Sequence, residues 1–165
     1  MCPLIKVVFS MLSIVIILAI GVLILVDRQA WICGRRLSEA LQDGETVTLV
    51  ECAGDKEIAR KIATASEIYQ LRRALSSWWH PFFPPSITFS FVPNHRIEVV
   101  QRDGSKVSGS ISFVCEQFLI DDETVAAPLP PHLHKSLSSV FISAGMAPKT
   151  YDQYKALEES GNGSK

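Results

Sequence analysis

The chain lacks most of the short patterns that announce a chemistry. It has no Walker-type or dinucleotide glycine loop, which excludes the familiar ways of cradling a phosphate on a helix N-terminus. Gly109-Ser110-Ile111-Ser112 falls short of the Gly-x-Ser-x-Gly nucleophile elbow. Neither Cys52 nor Cys115 belongs to a Cys-x-x-Cys unit. Charge of one sign is not in excess: 16 Lys and Arg face 17 Asp and Glu, for a net charge of −1. A nucleic-acid binder needs a clustered basic face to neutralise phosphates, and here the two signs alternate. There is no internal repeat.

What the chain does have is a long apolar run. Residues 7–26 are apolar apart from Ser10, Ser13 and Gly21. As a helix this stretch would be about 30 Å long, the thickness of a bilayer's hydrocarbon core. Lys6 bounds it on one side and Asp27, Arg28 and Gln29 on the other, with Trp31 at an interfacial position. A cleaved signal peptide is the rival. Its apolar region would be shorter, and cleavage after Ala19-Ile20-Gly21 would leave an apolar new terminus. The reading is therefore a retained single-pass helix contacting the bilayer through 7–26. Lys6 against Arg28, Arg35 and Arg36 slightly favours a cytoplasmic domain. A short tail before a long apolar run is an export-anchor layout, and the balance leans to an extracytoplasmic domain.

The organisation expected is a tail over 1–6, the membrane helix over 7–26, a juxtamembrane linker over 27–44, an α+β domain over 45–146 and a disordered tail over 147–165. Leu37, Ala40 and Leu41 give the linker a short helical stretch. Alternation predicts a strand over 46–52. Residues 56–63 fit a strand or a helix, and Thr64-Ala-Ser-Glu67 decides for the strand because it is a capping box that starts a helix at 65. That helix should bury Ile68, Leu71, Leu75 and Trp78, with Glu67, Gln70, Arg72 and Arg73 largely outside the stripe. Strands follow over 87–91, 96–101 and 107–114, with Asp103-Gly104 as a hairpin turn, and a further short one over 116–120. A helix over 132–144 should bury Leu133, Leu137, Val140 and Phe141 before Gly145 stops it. The expected class is α+β, an antiparallel sheet in the order β-β-α-β-β-β-α with two helices packed on one face.

The hairpin, the helix entered through Ala-Thr-Ala-Ser-Glu-Ile, the Phe-x-Phe strand, the Asp-Gly turn and the late Phe-Val-Cys segment resemble small uncharacterised bacterial domains of the membrane-anchored or lipoprotein type. The resemblance covers 45–146. It implies a fold and an anchored setting, and no activity.

Among candidate sites, Trp78-Trp79-His80-Pro81-Phe82-Phe83-Pro84-Pro85 stands out. Aromatics dominate interface hot spots, and prolines stiffen the segment. Trp78 continues a helix stripe, so Trp79, Phe82 and Phe83 are the candidate contact surface for a protein partner or a membrane surface. Burial in the core is the competing reading. Cys52 and Cys115 are free buried thiols or, in an oxidising compartment, a disulfide. His132 and His134 open a helix, where i and i+2 diverge by about 200°, so they do not make a metal pair. Asp121-Asp122-Glu123 lacks the alternation of a calcium loop. No catalytic, cofactor or metal residue is identified. The functional expectation is a membrane-tethered, non-catalytic interaction or accessory domain. The alternatives are a ligand-binding sensor and an enzyme of unrecognised type.

Overall fold

The computed structural model describes residues 34–54, 56–76, 91–120 and 126–162, together with Ile14, Leu18 and Gly21. Its elements run as a helix α1 (34–43), strands β1 (Gly44–Ala53) and β2 (Lys56–Ile62), helix α2 (Ala65–Ser76), strands β3 (His95–Gln101), β4 (Lys106–Ser112), β5 (Gln117–Ile120) and β6 (Ala127–Pro128), and helices α3 (Pro131–Ser143) and α4 (Tyr151–Asn162). The six strands form one sheet in the order β2-β1-β3-β4-β5-β6, antiparallel at every pairing. The fold is α+β.

Each strand obeys the two-residue period of side chains on a pleated sheet. On β1, Val47 and Leu49 point into the core while Thr48 and Val50 point to the opposite face. Ile97 and Val99 of β3, Ile111 of β4, and Phe118 and Ile120 of β5 extend the apolar face sideways. Three helices cover it. Leu37, Ala40 and Leu41 come from α1, Leu71, Ala74 and Leu75 from α2, and Leu133, Leu137, Val140 and Phe141 from α3. Burying one such side chain stabilises the fold by about 1.5–3 kcal/mol, so the three-helix layer carries most of the apolar driving force. The α2 start is a true capping box: Thr64 N–H donates to Glu67 Oε2 at 2.7 Å, and Glu67 N–H donates to Thr64 Oγ1 at 3.3 Å.

Several expectations are corrected. Among the described residues, no helix is long and apolar enough to cross a membrane. Among the helices whose ends both lie in the described residues, the longest, α3, has 13 residues and would span only about 20 Å, and its buried apolar residues occupy one face. Of the expected span 7–26, the structure describes Ile14, Leu18 and Gly21, each helical, and the other positions lie outside the described residues. The expected pair of helices on one face is in fact a layer of three. Residues read as a linker contribute α1, because Leu37, Ala40 and Leu41 fall on one helical side and close the core. Arg72 of α2 donates to the Leu41 carbonyl, satisfying an otherwise orphaned group at the α1 C-terminus. The stretch read as a disordered tail contains α4. Glu67, read as lying outside the α2 stripe, is buried, because capping and an ion pair to Lys61 at 2.9 Å hold it inward. The strand expected over 87–91 lies outside the described residues except for Phe91, which is not in a strand.

Candidate functional site

Three polar arrangements remain once the apolar core is accounted for: a charged belt on the open side of the sheet, a histidine clamp at one end of it, and an unpaired strand edge.

The belt begins with an irregularity. Glu51 pairs with Ala59, but Cys52 pairs with Glu57, so Ile58 is an extra residue in β2. This bulge turns Glu57 onto the face that already carries Arg60, because their partners Cys52 and Val50 share a side of β1. Arg60 then donates to both Glu57 oxygens at 2.7 and 2.8 Å. Its Nη1 also donates to Glu98 on β3 at 2.9 Å. Glu98 is buried and further faces Arg96 Nε at 3.0 Å and Lys106 Nζ at 3.1 Å. Burial would raise the Glu98 carboxyl, yet Arg60 and Lys106 outweigh it and hold the group below its ordinary value. The belt ties β2, β3 and β4 together across β1. Cys52 lies beside it on β1, and burial pushes its thiol up.

The clamp centres on His95, a fully buried residue at the start of β3. Its Nε2 lies 3.0 Å from the Met146 carbonyl, and its Nδ1 lies 3.5 Å from the Tyr154 hydroxyl. A carbonyl can only accept, so Nε2 carries the proton and Nδ1 presents a lone pair. The Tyr154 O–H donates to that lone pair, and its oxygen accepts from the Lys149 N–H at 3.3 Å. Phe113 and Phe141 set their rings edge-on to the imidazole, with centroids 5.0 and 4.5 Å away. Burial pushes His95 down to about 4, with the Met146 carbonyl opposing and the Lys149 charge assisting. Burial likewise pushes Tyr154 up to about 12. Glu51, opposite His95 on β1, is buried and paired with the Lys149 ammonium.

The edge is asymmetric. At one side of the sheet, β6 is two residues long and ends in Pro128, which has no N–H to offer a neighbour. At the other side, β2 is seven residues long and, among the described residues, pairs only with β1. Ile62 on β2 is 68% exposed, Tyr69 on the adjoining helix 65%, and Ile58 is also exposed. The strand carries Lys56, Arg60 and Lys61 against Glu57.

The candidates read from the sequence are placed unevenly. Trp79, Phe82 and Phe83, with the rest of the 78–85 segment, lie outside the described residues, as do Asp121, Asp122 and Glu123. Cys52 and Cys115 both carry free thiols. Cys115 sits in the turn after β4 rather than in a strand, and β3 lies between β1 and β4. His134 Nε2 lies 3.3 Å from the Phe113 carbonyl. Among the described residues, no group of three His, Cys, Asp or Glu side chains could hold a metal ion. The sequence reading missed the His95 clamp because half of it was assigned to a tail. Thr150-Tyr-Asp-Gln153 was the available signal, since Thr150 N–H donates to Gln153 Oε1 at 2.9 Å and Gln153 N–H donates to Thr150 Oγ1 at 3.4 Å. The comparisons with known proteins found no match: no family model matches the chain, nor does any curated protein or solved structure.

Proposed function

We propose that this domain is a non-catalytic interaction module that receives an extended, acidic segment of a partner protein along the outer edge of β2. The observation that carries the reading is the contrast between the sheet's two edges. One is closed by a two-residue strand ending in proline, and the other is a seven-residue strand with exposed Ile58 and Ile62. An edge strand offers unpaired backbone groups to an incoming strand, which supplies affinity through main-chain hydrogen bonds. Charge selects the partner. Arg60 and Lys61 already meet Glu57, Glu98 and Glu67, so the positive charge offered along β2 rests chiefly on exposed Lys56 and the outer side of Lys61; it favours an acidic segment over a second copy of this basic strand. The bulge at Ile58 limits the regular ladder to 59–62, so the segment it receives is short.

The test is a titration of the isotopically labelled chain with a hexapeptide alternating Glu or Asp with Val, and with its Lys-for-acid counterpart. The reading expects amide shifts concentrated in β2 with the acidic peptide, weakened by salt, and at least a tenfold loss of affinity in Lys61→Glu/Ile62→Asp. Shifts scattered away from β2, or equal binding of the basic peptide, would overturn it. The aromatic segment with Trp79, Phe82 and Phe83 belongs to the same reading as a second contact surface. Replacing all three with Ala should weaken binding of an identified partner while leaving the β2 response to the peptide intact.

A further inference from the structure

The segment after α3 holds His95 from both sides of its ring; Met146 at its start is buried in the apolar core, and beyond Met146 the described residues have few other ties to the sheet. Met146 receives the proton of Nε2, and Tyr154 supplies the proton to Nδ1. Within α4, Tyr154 is a buried side chain, while Tyr151, Asp152, Gln153, Lys155, Ala156, Glu159 and Ser160 are exposed and Leu157 is intermediate. The second tie is the ion pair between Lys149 and Glu51. A helix attached by one aromatic and one ion pair belongs to the low-stability end of a fold, where local opening precedes global unfolding.

We propose that α4 is an acid-released strap: a proton taken up from solvent by Nδ1 of His95 removes the acceptor that Tyr154 needs, and residues 147–162 lift from the sheet. The directionality makes the closed strap costly once the proton arrives. With both ring nitrogens protonated, Nδ1–H and the Tyr154 O–H face each other as two donors. The hydroxyl cannot simply rotate away at no loss, since its oxygen already accepts from Lys149 and its proton would be left buried and unpaired. Opening also lets the imidazolium reach water, which its present surroundings deny it.

The titratable and charged groups around His95 are few. From β1 come Glu51, already paired with Lys149, and Cys52, whose thiol burial holds in the neutral form. The strap supplies Lys149 and α4 supplies Tyr154. From β4 and α3 the contacts are Ile111, Phe113 and Phe141, with His134 one step further out against the Phe113 ring at 5.2 Å. Among the described residues, no carboxylate other than Glu51 is positioned to stabilise the imidazolium in place.

Amide hydrogen exchange of the full chain between pH 7 and pH 5 tests this, with each amide's rate divided by the intrinsic rate of an unstructured peptide at the same pH. Burial holds His95 at about 4 with the strap closed, so protection across α4 should fall between pH 7 and pH 5, by at most about twentyfold, the limit reached if opening returns the ring to 6.5. Protection of α3, which opens only with the core, should stay well above that of α4 at both pH values, because the strap opens without it. His95→Gln offers an amide N–H to Met146 and an oxygen to Tyr154 without titrating, and should abolish the fall. Tyr154→Phe should leave α4 poorly protected at pH 7 and insensitive to acid. Equal protection factors in α3 and α4 at pH 5 would overturn the proposal, since the two would then open as one unit. So would a pH response retained in His95→Gln, which would assign the effect to the Glu51 pair. If His95→Gln does not fold, an unchanged pH response in Tyr154→Phe overturns the proposal by itself.

Discussion

Gly109 lies on β4 at the point where α1 comes closest to the sheet. A Cβ there would sit 2.7 Å from the Phe118 Cζ and 3.1 Å from the Leu37 Cδ2. Phe118 and Leu37 are both fully buried, so neither has free space to move into. Gly109→Ala should therefore destabilise the domain by about 1–3 kcal/mol despite the better strand propensity of alanine, read as a lowered denaturant midpoint. A second contrast of magnitude concerns two ion pairs. Glu98 is buried under three cations, and Glu98→Gln leaves those cations facing one another; a loss of about 2 kcal/mol is expected. Arg35 and Glu39 are 2.6 Å apart but largely exposed, and Arg35→Ala should cost under about 0.5 kcal/mol. The shorter pair is the weaker one, because water screens it and not the Glu98 cluster. Urea melts of the two variants at neutral pH check the ranking.

At the scale of elements, the helices fall into two groups. α1, α2 and α3 share one apolar core and should exchange as a unit. α4 stands apart, fixed at its start by the Thr150–Gln153 capping box. Thr150→Ala should weaken α4 locally by about 1 kcal/mol while leaving the global unfolding midpoint unchanged, since global unfolding follows the core. Exchange measured across 151–157 against the denaturant melt separates the two. Residue patterns made the core helices readable: Leu133, Leu137, Val140 and Phe141 recur at helical spacing, and all four are fully buried. The same patterns understated α1, whose Leu37, Ala40 and Leu41 look too brief to matter until a sheet lies beneath them. α4 has scarcely an apolar stripe, and the polar Gly and Ser near it resemble a frayed end.

For the whole molecule, acid acts in two windows. His95 binds a proton near 6.5 when unfolded and only near 4 in the folded state. The unfolded chain thus holds more protons between those values, and stability falls as pH drops through that window, by on the order of 3 kcal/mol if the protein unfolds as one unit. Below it, Glu67 and Glu98 come into play. Burial would raise both, but Lys61 and Thr64 lower the first and Arg60 and Lys106 lower the second. Their contributions are present above the ordinary carboxylate range and vanish as pH falls through their lowered values. A melt series from pH 7 to pH 3 should show the upper fall flattened in His95→Gln and the lower one kept.

By itself the sequence determined what is local. Period-2 and helical spacing, a Thr64–Glu67 box and an Asp-Gly turn act over a few residues, so β1, α2, the β3–β4 hairpin and α3 follow from neighbours along the chain. Only the tertiary structure decided what depends on distant partners. The insertion of β1 between β2 and β3, the bulge that brings Glu57 beside Arg60, and the layer completed by α1 each need backbone groups or side chains far apart in sequence. His95 and Tyr154 are 59 residues apart, and neither has a local pattern that requires the other. Their meeting follows from the burial of a ring whose two nitrogens both demand partners, and the folded chain meets that demand with a segment whose own composition does not call for burial.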